Sequence, residues 1–274
     1  MSWKIIDTHA QLWTEEVVSN LPQEIHSKYE EVFKRKLSYS LDELFMEMED
    51  VGIDRIVIVG IDAETTFNYK IPNEEVLKAM RRGEGKVIGF MGIDPRKKES
   101  AVREIEKLHR DGFRGIKLVP HLHEVKPNSE EMYPIYEKAQ ELGIPILFHT
   151  GTQFHIGSRL KYCRPIYLDD VAVDFPNLKI IMAHFGYPWY EEALSIVRRH
   201  DNVYFNIAGW RPKYIPKKVI RLMDSILVDK ALFGTDYPLI KHEIAVKELL
   251  DMNLKEETYN RLFWENASEL LELG

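Results

Sequence analysis

The regular return of a short apolar run after every helical stretch is the feature that most limits what this chain can fold into. These runs end near positions 7, 60, 93, 118, 149, 184, 206 and 235, and after the first gap they recur every 22 to 35 residues. Arg55-Ile56-Val57-Ile58-Val59-Gly60 is one of them, continuously apolar and rich in β-branched residues. Such a strand is covered on both faces, as in a parallel sheet flanked by helices. The intervening helices carry their own punctuation. Ser40-Leu41-Asp42-Glu43 is a capping box for a helix that runs to Val51 and stops at Gly52. A second helix spans Asn73 to Arg82 before Gly83, Ser100 caps a third to about Arg110, and a fourth runs from Ser129 to Leu142 before Gly143. Further helical patterns cover 168–174, 189–199 and 216–225.

Alternation from end to end, with no linker or shift in composition, predicts one α/β domain over residues 1–274. Eight units favour a closed (β/α)8 barrel, the TIM barrel, over an open doubly wound sheet. No G-x-G-x-x-G follows the first strand, which argues against a dinucleotide fold. Two additions stand outside the repeat. Residues 13–39 form an irregular insertion after strand one, with a helical piece near 25–37, long enough to cover an active site. Residues 241–271 read as extra C-terminal helices with turns near Asn253 and Asn266.

In a barrel of this kind the chemistry sits where strands end. The polar residues there are His9 and Gln11 after strand one, Lys117 at strand four, His149 at five, His184 at six and Asp236 at eight. Side chains at 7, 9 and 11 share one face of an extended chain, so they can converge on one point. Imidazoles and a carboxylate suit a borderline cation, and three protein ligands leave a position open for water. Such a constellation fits metal-assisted hydrolysis better than a redox role. A single histidine at a strand end is ordinarily just a hydrogen-bonded polar residue, and only the recurrence at several strand ends outweighs that. His121, His123 and His155 lie in strand-to-helix loops, either as solvated residues or as further candidates. His26, His109, His200 and His242 fall in helical or surface patterns and are read as uninvolved.

The balance of 37 basic and 44 acidic residues gives a net charge of −7 without a basic run, which argues against nucleic acid or an acidic membrane as partner. A small anionic substrate remains compatible with it. Cys163 is the only cysteine, so no internal disulfide forms and a reducing compartment is expected; the residue reads as structural. With no signal-like start and no apolar run approaching 18 residues, the expected location is cytoplasmic.

The segments Asp7-Thr8-His9, Gly115-Ile116-Lys117-Leu118-Val119-Pro120, His149-Thr150-Gly151, Ala183-His184-Phe185-Gly186 and Phe233-Gly234-Thr235-Asp236-Tyr237-Pro238 together resemble the amidohydrolase superfamily. The likeness is greatest to its amidohydrolase-2 branch of decarboxylases, lactonases and hydratases, and it covers nearly the whole chain in order. The resemblance implies one divalent metal ion, zinc first and manganese second, held by His9, Gln11, His149 and Asp236. It further implies that Asp236 handles the proton of the attacking water and that His184 orients the substrate. Gln11 departs from the family's H-x-H pair. Either its amide ligates weakly, or another residue completes the shell, or the site works without a metal. Lys117 and His121 stand as metal or substrate residues.

Arg159, Arg164 and Arg211 follow strands five and seven and suit a carboxylate, and Trp210 with Tyr237 suits an aromatic wall. The reaction read from these residues is hydrolysis of a carbonyl-type bond (lactone, thioester, C–C or C–N) in a small carboxylated metabolite. Nonoxidative decarboxylation of an aromatic or muconate-type acid is the second reading. A barrel that has lost catalysis and serves in binding is the third. The family likeness also implies a homo-oligomer, a dimer or larger.

Overall fold

The structure is a computed structural model and describes residues 3–273. Eight strands form one sheet in chain order: β1 (Ile5–Gln11), β2 (Ile53–Val59), β3 (Val87–Gly92), β4 (Gly115–Leu118), β5 (Ile146–Phe148), β6 (Ile180–Met182), β7 (Val203–Asn206) and β8 (Ala231–Leu232). Every neighbouring pair is parallel. β8 is only two residues long, so the ring closes on β1 through backbone bonds just past it. Thr8 N–H donates to Phe233 O at 3.0 Å, Asp236 N–H to His9 O at 2.8 Å, and Gln11 N–H to Tyr237 O at 2.7 Å. The result is a nearly closed TIM barrel.

Strand alternation divides the apolar residues between two regions. Ile58, Ile116, Ile146, Phe148 and Ile180 face the surrounding helices, while Val57, Val59, Phe90, Leu147 and Ile181 pack together inside with Leu270 and Leu271 at the end of the C-terminal helix. The capping box forms as read: the Ser40 hydroxyl accepts from Glu43 N–H at 3.2 Å, and the Glu43 carboxylate accepts from Ser40 N–H at 2.6 Å. That helix spans Leu41–Val51, and Gly52 ends it in the left-handed region at φ 84°.

Several local expectations change. Strand one does not stop at Asp7 but runs to Gln11, with an irregularity of register between Asp7 and Ala10. Ser100 is not a cap: its helix starts at Glu99, and the Ser100 hydroxyl donates to Lys97 O at 2.7 Å. The insertion helix ends at Phe33, where Lys34 turns left-handed, rather than near 37. A small hairpin, Ile61–Ala63 with Tyr69–Ile71, follows β2 and was not signalled. Asn266 marks no turn. The chain stays helical from Arg261 to Leu270, and the Asn266 amide donates to Val228 O and Ala231 O at 2.7 and 2.8 Å.

The register change in β1 separates Asp7 from His9 and Gln11. Asp7 is fully buried and accepts from Thr235 N–H at 3.1 Å, from the Thr235 hydroxyl and from His242 Nε2 at 2.9 Å. His242, read as an uninvolved residue, is fully buried between Asp7 and Glu47, whose carboxylate lies 3.5 Å from its Nδ1. Burial by itself would lower its pKa, but the two carboxylates outweigh that and raise it to about 9. The folded state therefore holds the proton more tightly than the unfolded chain. The stabilisation is complete below about pH 6.5 and is lost as pH rises through about 9. Urea unfolding across this window should show a loss of roughly 3 kcal/mol in the wild type. His242→Gln keeps a donor but cannot titrate, and should flatten the dependence; parallel declines in both proteins would assign the loss to other groups.

Candidate active site

The left-handed conformations of His184 (φ 61°) and Asp236 (φ 58°) mark the barrel mouth, since non-glycine residues adopt them at a cost and functional sites tolerate it. Four buried side chains meet beneath them. The His9 Nε2 atom lies 3.2 Å from Lys117 Nζ and 3.6 Å from Asp236 Oδ1. The Gln11 amide donates to Asp236 Oδ1 at 2.8 Å. Lys117 is 1% exposed, and burial, partly opposed by Asp236, pulls its amine down to about 7. Near neutral pH it is therefore divided between amine and ammonium.

A row of imidazoles crosses the same mouth. Ring centroids are 5.2 Å apart for His9 and His184, 4.7 Å for His184 and His149, and 4.5 Å for His149 and His121. Burial lowers the pKa of all four, so they are neutral. Their hydrogen bonds then fix tautomers. His184 donates from Nδ1 to Ala208 O at 2.8 Å, so its Nε2 accepts from His149 Nδ1–H at 3.2 Å. That leaves the lone pair of His149 Nε2 buried without a partner. At the end of the row, Cys163 Sγ lies 3.2 Å from His121 Nδ1, and burial raises the thiol to about 12.

The open space is narrow. A chamber of about 40 Å³ is bordered by Gln11, Lys117, His121, His149, Tyr69 and Asp236, and an outer one of about 140 Å³ by Tyr29, Phe154, His184, Gly209, Trp210 and Asp236. A larger groove of about 820 Å³ runs outside the barrel along Arg35, Tyr39, Glu47 and Tyr237 and contains none of these chemical groups.

The structure thus gathers His9, Gln11, Lys117 and Asp236 at one point and His121, His149 and His184 beside it, with Trp210 on the outer wall. It does not bring the other substrate candidates in. Arg159 pairs with Glu124, Arg164 with Glu192 at 3.0 Å, and Arg211 with Glu248. Tyr237 turns to the outer groove, stacked on His242 at 4.8 Å. Each arginine pairs with a glutamate distant in sequence, and none of the three borders the inner chamber. Two walls escaped the sequence reading: Tyr29 from the insertion helix and Tyr69 from the hairpin. The first was legible, because His26, Tyr29 and Phe33 share a helical face that meets Trp13 and Phe154.

His9, Gln11, His149 and Asp236 do not face one another as an open set of ion ligands. Gln11 presents its N–H to Asp236 with its Oε1 buried and unpaired, and Lys117 Nζ stands 3.2 Å from His9 Nε2, so an amide N–H and an amine already lie against two of the atoms that an ion would use. Among the described residues, the one group of three or more His, Cys, Asp or Glu side chains with ligand atoms within 4.8 Å of one another is His121, His149 and Cys163.

A barrel with histidines, a lysine and an aspartate converging at its strand ends is an enzyme scaffold of the amidohydrolase type. Residues 6–273 match the family profile described as Amidohydrolase, and the chain belongs to this amidohydrolase-2 family. An uncharacterised TIM-barrel protein from Bordetella bronchiseptica is similar over 98% of both chains, with 23% identity and a TM-score of 0.85. A 5-carboxyvanillate decarboxylase from Novosphingobium aromaticivorans, complexed with manganese and 4-hydroxy-3-methoxy-5-nitrobenzoic acid, shares 16% identity over 99% of this chain and 96% of its own, with a TM-score of 0.75. A protein from Acinetobacter baumannii described as a probable 2-pyrone-4,6-dicarboxylic acid hydrolase, with citric acid bound, shares 16% identity over the full length of both chains at a TM-score of 0.71. At these identities the likenesses show the fold. Among the described residues no helix is long and apolar enough to cross a membrane.

Gly209 shows how tightly the mouth is packed. At φ +76° a Cβ would lie 2.9 Å from His184 Nδ1 and 3.3 Å from Asp236 Oδ2. Gly209→Ala should lower the melting temperature by a few degrees, for a backbone cost of about 1–2 kcal/mol, and cut turnover about tenfold or more. Gly85→Ala is the control. Gly85 has φ +93° and open space around it, so its substitution should cost stability alone.

Proposed function

We propose that this chain is a hydrolase that opens a carbonyl-type bond in a small, flat metabolite. The observation that carries the reading is the convergence of Asp236, Lys117 and Gln11 on a chamber about the size of a single water, with His9 set against Lys117 and Asp236. Gln11 holds one oxygen of Asp236 and leaves Oδ2 for a water. In the reaction, Asp236 takes a proton from that water, whose oxygen attacks the carbonyl carbon. The carbonyl π electrons move to oxygen, and the Lys117 ammonium donates to the oxyanion. As the tetrahedral species collapses, the bond to the leaving group breaks and the proton on Asp236 passes to that group. His184 is engaged on both ring nitrogens, so it acts here by positioning His149 and not by touching the oxyanion. The aromatic side chains Tyr29, Tyr69 and Trp210 support a planar substrate.

Decarboxylation is the second reading, favoured by the aromatic walls and by Lys117 as a single cation able to meet one carboxylate. Turnover of lactones, thioesters and aromatic acids in ¹⁸O-water separates the two. Hydrolysis places label in the organic product, whereas release of CO₂ from an unlabelled product would overturn it. Asp236→Asn should lower kcat/KM by about 10²–10⁴, and Lys117→Met by about 10²–10³, as for a lost oxyanion donor. Full activity of either variant would reject the assignment.

A further inference from the structure

We propose that His121, His149 and Cys163 hold one divalent ion of zinc-like chemistry on the β4–β5 side of the mouth. This inference does not rest on the hydrolytic reading; it rests on three ligand atoms and a lone pair. His121 belongs to the short helix Pro120–His123 that follows β4, His149 stands one residue beyond β5, and Cys163 ends the turn Leu160–Cys163 in the loop after β5. That loop is tied back to the barrel, since Gly151 N–H donates to Cys163 O at 2.9 Å. Their ligand atoms lie within 4.8 Å of one another, and His121 and Cys163 are 4% and 1% exposed.

The independent sign of a missing partner is His149 Nε2. It is buried and unpaired, while Nδ1 of the same ring is committed to His184 and, through it, to Ala208 O. A ligand histidine is oriented in this way, with one nitrogen fixed from behind and the other free in front. Cys163 Sγ and His121 Nδ1 now share one hydrogen across a gap of 3.2 Å. With Zn–S near 2.3 Å and Zn–N near 2.0–2.1 Å, tetrahedral ligands stand about 3.6 Å apart, so the pair needs to open by only a few tenths of an ångström. On binding, the Cys163 S–H bond breaks, the thiolate and two neutral imidazoles bond to the ion, and the proton leaves to solvent. One thiolate and two imidazoles select zinc or cobalt over manganese, which prefers oxygen donors. Three ligands leave the fourth position open towards the chamber that Lys117 and Asp236 also border.

Cys163 is the only cysteine, so a thiolate–metal signal can have one source. The full chain, purified without a histidine tag and stripped with chelator, is titrated with Co²⁺ and then with Zn²⁺. One equivalent of Co²⁺ should bind with a near-ultraviolet sulfur-to-cobalt charge-transfer band, which Zn²⁺ then displaces. Cys163→Ser should abolish the band, and His121→Ala should weaken binding at least a hundredfold. His184→Ala should weaken it about 10–100-fold as a loss behind the ligand. His9→Gln and Asp236→Asn should retain both the ion and the band. Co²⁺ bound by the wild type without the band would overturn the proposal, as would less than a tenth of an equivalent retained after gel filtration. Loss of the band in Asp236→Asn with an unchanged melting curve would overturn it as well. Because the band is read in the wild type, poor folding of a variant does not decide the matter, and hydrolytic activity enters none of these readouts.

Discussion

The seam between β1 and β8 is the contact on which both fold and site depend. β8 contributes two residues, too few to close a sheet by its own ladder. Closure passes instead to the backbone bonds of Thr8, His9 and Gln11 with Phe233, Asp236 and Tyr237, and to the buried carboxylate of Asp7. Asp7 takes both the amide and the hydroxyl of Thr235, so the residue before Asp236 is fixed from the β1 side. The same bonds that close the ring therefore set His9 and Gln11 beside Asp236, which lies 225 residues beyond Gln11. His242 and Glu47 complete a buried charge cluster behind this seam, where a lone Asp7 carboxylate would be costly.

Gln11 changes what the seam presents to the chamber. An acceptor-only residue there would share the demand of His9 and Asp236 for a cation. The amide supplies its own N–H to Asp236, and Lys117 lies against His9 Nε2, so part of this corner is met by internal donors while Gln11 Oε1 and His9 Nδ1 stay unpaired. The imidazoles beside it are satisfied differently. Neutral, and bonded in sequence, they pass their donors towards Ala208 and leave acceptors at the other end. The mouth thus divides into a corner rich in donors and a corner rich in lone pairs.

The sequence carried the first of these corners better than the second. Strand ends were readable from apolar runs bounded by polar residues, and with them His9, Lys117, His149, His184 and Asp236. The helix Leu41–Val51 was readable from Ser40, Glu43 and Gly52, because a cap is a local event. The hairpin after β2 was not, since each of its strands has three residues and its turn depends on Asn68 adopting a left-handed conformation. Arg159, Arg164 and Arg211 carry the right charge at the right loop ends. Their partners Glu124, Glu192 and Glu248 lie 28 to 37 residues away, so only the folded chain shows that they are spoken for. Cys163 gave no signal because a lone cysteine acquires meaning only from the two histidines that the β4 and β5 loops bring to it.

Asn206 accounts for the direction of the imidazole row. Buried at the end of β7, its Oδ1 accepts from His184 N–H at 3.1 Å and from Ala208 N–H at 3.3 Å. One carbonyl oxygen therefore holds both the left-handed turn that carries His184 and the residue whose oxygen His184 bonds. Ala208 O can only accept, so His184 must donate from Nδ1 and accept at Nε2. His149 must then donate to it and keep its outer nitrogen bare. No titration is needed to reach that state, because burial already keeps the rings neutral. A backbone carbonyl two residues past β7 thus sets the polarity of a nitrogen that opens on the chamber beside β5. The lone pair is built into the scaffold before any ligand arrives.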